Sequence, residues 1–179
     1  MTNSTARSGA FTPPSPPSTG EVEAWLASAH PSSAAPHREW SSAARLALIP
    51  LGRLFEAVRI PAAVAHYAFA SHDPSVVSRR LARHLQGGPV VHDPEGRRYY
   101  ALVPPGTAAN WRAPAAQCLG EGTYLGVPRP DLTELDEGTL ASYWAVPMTR
   151  PGKLCDPTDV LALVMVGGCL ADDDNEAAS

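Results

Sequence analysis

Pro89-Val-Val-His-Asp-Pro-Glu-Gly-Arg-Arg-Tyr-Tyr-Ala-Leu-Val103 is the stretch that decides the fold class. Apolar and aromatic residues flank Asp93-Pro-Glu-Gly96, and that tetrapeptide has what a tight turn requires. The aspartate caps the turn through its side chain, the proline presets φ, and the glycine tolerates conformations closed to other residues. The pattern predicts a β-hairpin. Alternation along its second strand sends Arg98 and Tyr100 to one side and Tyr99 to the other, into the core.

Outward from the hairpin the pattern changes period. Ser75 to Leu85 carries Val76, Val77, Leu81 and Leu85 at helical spacing and ends at Gly87-Gly88. Ala62 to Ala70 reads as a helix behind Pro61, whose missing N–H is harmless in a first turn. Arg45 to Pro50, Phe55 to Ile60, Gln117 to Leu119, Thr123 to Val127 and Ser142 to Val146 read as short strands, the third and fourth joined by Gly120-Glu-Gly122. Pro128 to Leu140 is acidic and loop-like. A last apolar helix is expected from Val160 to about Val166, stopped by Gly167-Gly168. The class is α+β, a single domain of short helices packed on a mixed or antiparallel β-sheet.

Both ends differ in composition from this middle. Residues 1–36 are rich in Pro, Ser and Thr and are expected to be a disordered arm, with at most one docking helix at Glu21 to His30. The folded domain is expected over 37–170, and 171–179 as an acidic disordered tail.

The 179 residues are 44% hydrophobic and carry a formal charge of -4, which suits a globular chain and speaks against wholesale DNA wrapping. Three cysteines fit neither a disulfide framework nor a zinc pattern, so no metal or other cofactor is expected. No apolar run is long enough to cross a bilayer and no signal-peptide core opens the chain, so the cytoplasm is the expected location.

No nucleophile elbow, phosphate loop or dinucleotide fingerprint is present. The six histidines read as surface or structural residues, and Cys118 as an inert thiol. The suggestive feature is the interleaving of arginine with aromatics: Arg97, Arg98 and Tyr100, with Trp111 and Arg112 downstream. Guanidinium groups hold phosphates and aromatic rings stack on bases, so these five residues are the candidate nucleotide or nucleic-acid contacts.

Three segments in order, Tyr99-Tyr-Ala-Leu-Val-Pro-Pro-Gly106, Cys118-Leu-Gly-Glu-Gly-Thr-Tyr-Leu-Gly-Val-Pro128 and Ser142-Tyr-Trp-Ala-Val-Pro147, give residues 88–148 a shape that resembles the C-terminal half of the bifunctional DNA primase/polymerase N-terminal (prim-pol) domain. The resemblance implies a nucleotide-handling α+β fold. The family's metal-binding acidic residues and its Ser-Gly-Gly-x-His segment have no counterpart here, so no catalytic residue carries over and no primase or polymerase activity is expected. The reading is therefore a non-catalytic domain that binds a nucleotide or single-stranded nucleic acid. The alternatives are a protein-interaction module whose partner is recruited by the N-terminal arm, and an enzyme of another type such as a nucleotidyltransferase.

Overall fold

A computed structural model describes residues 19–177, with side chains to residue 173. The expected arm over residues 1–18 lies outside the described residues. Seven strands and six helices follow one another as α1 (Thr19–Ala27), α2 (Ala34–Trp40), β1 (Leu46–Pro50), β2 (Glu56–Pro61), α3 (Ala62–Phe69), α4 (Pro74–His84), β3 (Val90–Asp93), β4 (Arg98–Val103), α5 (Thr107–Asn110), β5 (Gln117–Leu119), β6 (Tyr124–Pro128), β7 (Tyr143–Val146) and α6 (Pro157–Ala177). The fold is α+β, as expected, and every strand pair is antiparallel.

The hairpin is present. Val91 pairs with Tyr100 and Asp93 with Arg98, while Asp93 Oδ1 accepts the Gly96 N–H at 2.9 Å and closes the turn. It forms the middle of a five-stranded sheet of order β5-β2-β4-β3-β7. β6 leaves that sheet to pair with β1 in a separate ribbon, so Gly120-Glu-Gly122 joins two sheets rather than two neighbouring strands.

Strand alternation gives the large sheet two apolar faces, and each is covered. Val58, Ile60, Tyr99, Ala101 and Val103 pack with Val77 and Leu81 of α4 and with Val160, Leu163 and Val164 of α6. Ala57, Val91, Leu102 and Trp144 pack with Ile49 of β1, Leu125 and Val127 of β6, and Val22, Leu26 and Trp40 from the first two helices. Three layers result, with the large sheet in the middle.

Residues 19–36 are thus a correction to the expected arm. Val22, Leu26, Ala27 and Ala29 are buried, and Trp25 stacks on Phe55 at 5.8 Å. The prolines that read as breakers leave room for α2, with Pro36 near its start, where a missing N–H costs nothing. Trp40 then donates Nε1–H to the Val127 carbonyl at 2.9 Å.

The other end is corrected too. α6 runs through Gly167-Gly168 to Ala177, into the expected tail. A Cβ on Gly167 would lie 2.1 Å from the Val64 carbonyl oxygen, and one on Gly168 2.8 Å from the Ala115 Cβ. Gly167 lets α3 lie close against α6 and Gly168 makes room for the Ala115 loop, so the glycine pair is not a stop signal. No helix among the described residues is long and apolar enough to cross a membrane.

Candidate ligand cleft

The chain leaves β4 through Pro104-Pro105-Gly106, where Gly106 takes φ +87° and the turn is closed by Thr107 Oγ1–H donating to the Pro104 carbonyl at 2.7 Å. The single turn of α5 is fixed from below by Glu56, a carboxylate only 5% exposed, whose Oε2 accepts the Ala108 N–H at 2.6 Å. This anchorage sets where the next two residues point. Trp111 donates Nε1–H to the Ala116 carbonyl at 2.9 Å and lays part of its ring on the first core. Arg112 stays exposed, one guanidinium N–H donating to the Trp111 carbonyl at 2.8 Å.

Across from them stands the first half of α6. Between the two elements lies a cleft of about 730 Å³, walled by Trp111, Arg112 and Asn110 on one side and by Thr158, Leu161 and Met165 on the other. That volume falls within the roughly 300–1,000 Å³ of small-molecule sites. Its lining among the described residues is mostly apolar, with one guanidinium and a few neutral polar groups, and contains no carboxylate, imidazole or thiol. Such a lining suits a ligand with a flat apolar body and an anionic end.

Of the five sequence-predicted contacts, Trp111 and Arg112 meet here. The other three do not. Arg97 occupies the hairpin turn at φ +53°, its carbonyl accepting the Ala62 N–H at 2.9 Å. Arg98 is exposed at the start of β4, and Tyr100 is half-buried against the second core. Trp111 packs on the first core, so Tyr100 and Trp111 belong to opposite faces of the sheet. The five residues therefore do not share one face of the sheet.

A second polar cluster was missed by the sequence reading. Tyr99, His92 and Tyr143 form a row across β4, β3 and β7. The His92 ring lies flat on Tyr99 with centroids 4.1 Å apart, and its Nδ1 is 3.0 Å from the Tyr143 hydroxyl. Burial, with His66 nearby, pushes the His92 pKa down to about 4. His66 is lowered as well, by burial and by the neighbouring His72 and Arg97. The Tyr99 hydroxyl is buried with no hydrogen-bond partner, and burial raises its pKa. The only sequence signal was position: His92 sits on a strand in register with Tyr99. Among the described residues no three His, Cys, Asp or Glu side chains converge on a metal position. The cluster is a neutral, stacked part of the core.

Cys118 keeps its inert reading. Burial, then the Glu56 carboxylate, push its thiol up to about 12, far from the thiolate a nucleophile needs.

No known family, curated protein or solved structure matches this chain.

Proposed function

We propose that this is a non-catalytic binding domain that holds a nucleotide, or one end of a single-stranded nucleic acid, in the cleft between α5 and α6. The observation that carries the reading is the meeting of Trp111 and Arg112 in one cavity of about 730 Å³. The apolar walls take a base, and the guanidinium N–H groups of Arg112 donate to a phosphate in charge-assisted hydrogen bonds. The likeness to the prim-pol domain belongs to the same proposal. It brings no catalytic residue with it.

Calorimetric titration with ATP, GTP and a short oligothymidylate tests this. Saturable binding that weakens as salt rises and is weakened in Arg112→Ala is the expected result. Heat-silent titrations with all three probes, on protein that melts cooperatively, would end the proposal.

A further inference from the structure

The last turn of α3 and the loop into α4 bring two imidazoles together. His66 and His72 lie with their Nδ1 atoms 3.1 Å apart and their ring planes at 69°. The backbone arranges this meeting. The Ser71 N–H donates to the His66 carbonyl at 3.1 Å and the Ala70 N–H to the Tyr67 carbonyl at 3.2 Å, a helix ending that usually carries glycine. Here Ala70 takes the left-handed position, at φ +46°. The chain then turns back over the helix end it has just left, and His72 reaches His66. The His66 ring is half-buried and set edge-on against the buried Tyr99, with centroids 6.4 Å apart, whereas His72 is exposed. One imidazole is held by the core and the other is open to solvent.

A hydrogen bond between two imidazoles uses the proton of one nitrogen and the lone pair of the other. Moving that proton to Nε2 of its own ring frees both lone pairs with no change of charge. The centroids are 4.8 Å apart, less than the roughly 5.4 Å of two rings aligned head-on across a straight bond of this length, so the rings meet at an angle. Nitrogens 3.1 Å apart can both lie about 2.0 to 2.1 Å from one ion, the ordinary zinc–imidazole distance. Burial, then His72 and Arg97, hold the His66 pKa below its ordinary value, which keeps that ring in the neutral form a metal requires.

We propose that His66 and His72 form a two-histidine site for a divalent transition ion that prefers imidazole nitrogen, such as zinc, nickel or copper, and that the ion clips the loop before α4 to the end of α3. No third His, Cys, Asp or Glu side chain among the described residues completes the set, so water fills the remaining positions from the exposed side of His72. Two protein ligands in place of four, with the Arg97 charge nearby, put the affinity in the micromolar range. This inference stands apart from the cleft reading, since neither histidine lines the cleft.

Calorimetric titration of Zn2+ and of Ni2+ into the full chain, free of any affinity tag and stripped of metal with EDTA, is the test. The expected result is saturable binding of each ion, about one per chain, that His72→Ala weakens at least about tenfold. His72 is exposed, so the metal-free variant melts as the parent does. Binding persists in Cys169→Ser, which removes the exposed thiol. Saturating Zn2+ shifts the Nδ1 magnetic resonance signals of His66 and His72 together. No saturable binding of either ion, binding as tight in His72→Ala as in the parent, or a loss in Cys169→Ser instead, overturns the proposal.

Discussion

Arg98 and Tyr100 on β4, and Trp111 and Arg112 after α5, are the same pair of residue types separated by a few residues of chain, and the fold treats them differently. On β4 the pair is spaced by two, so both members share a sheet face whose inner part is already covered by the β1–β6 ribbon. Tyr100 is drawn into that contact and Arg98 is left alone at the strand end. After α5 the pair is adjacent, outside any strand, and opposite a helix that does not close over it. An aromatic and an arginine make a site only where the backbone leaves a concavity between them, and the second pair has one.

The largest effect that sharpens the contrast lies between the two tyrosines of β4. Tyr99 is fully buried on the first core, so Tyr99→Ala lowers stability by about 3 to 5 kcal/mol in chemical denaturation. Tyr99→Phe removes a buried hydroxyl without a partner and leaves stability unchanged or higher. A clear loss in Tyr99→Phe would show that the hydroxyl has a partner in solution.

A pH effect of somewhat smaller size comes from the same row. The His92 pKa is lower in the folded chain, about 4, than its ordinary value of 6.5. The unfolded chain therefore binds the proton first, and stability falls as pH drops from about 6.5 to about 4, then levels off. His92 is 6% exposed, and the loss is on the order of 2 to 3 kcal/mol, with His66 adding in the same direction. His92→Phe keeps the stacking on Tyr99 and flattens the dependence in that window. A parent protein equally stable at pH 7 and pH 4.5 would contradict the burial of a neutral imidazole.

Smaller still is Tyr100→Ala, a half-buried contact whose loss costs about 1 kcal/mol of stability and no nucleotide affinity. If Tyr100→Ala impaired binding without affecting melting, the β4 face would return as a site.

The hairpin, α3 and α4 were legible because their signals are local. Asp93 and Gly96 make the turn, Pro61 precedes α3, and Asp73 caps α4 by accepting the Ser75 and Val76 N–H groups. What sequence reading missed depends on distant partners. Pro36 in the first turn of α2 and the glycine pair in α6 are breakers by composition, yet the first lies where an N–H is dispensable and the second where a neighbouring helix and loop need the space. The separation of β5 from β6 into two sheets has no local signature. The site shows the same division. Trp111 and Arg112 stood out by type, whereas Glu56, which anchors α5 from β2, and Leu161 and Met165, which form the opposite wall, gave no sign that they would meet them.

The most direct test of the central claim is calorimetric titration of one nucleotide, ATP, into the parent protein, Arg112→Ala and Arg98→Ala under one low-salt condition. Both arginines are exposed, so both variants fold, and any difference in affinity reports the site. The account predicts that Arg112→Ala loses about 1 to 3 kcal/mol of binding free energy and that Arg98→Ala binds as the parent does. Equal binding by parent and Arg112→Ala, with a loss confined to Arg98→Ala, would contradict it and move the site to β4.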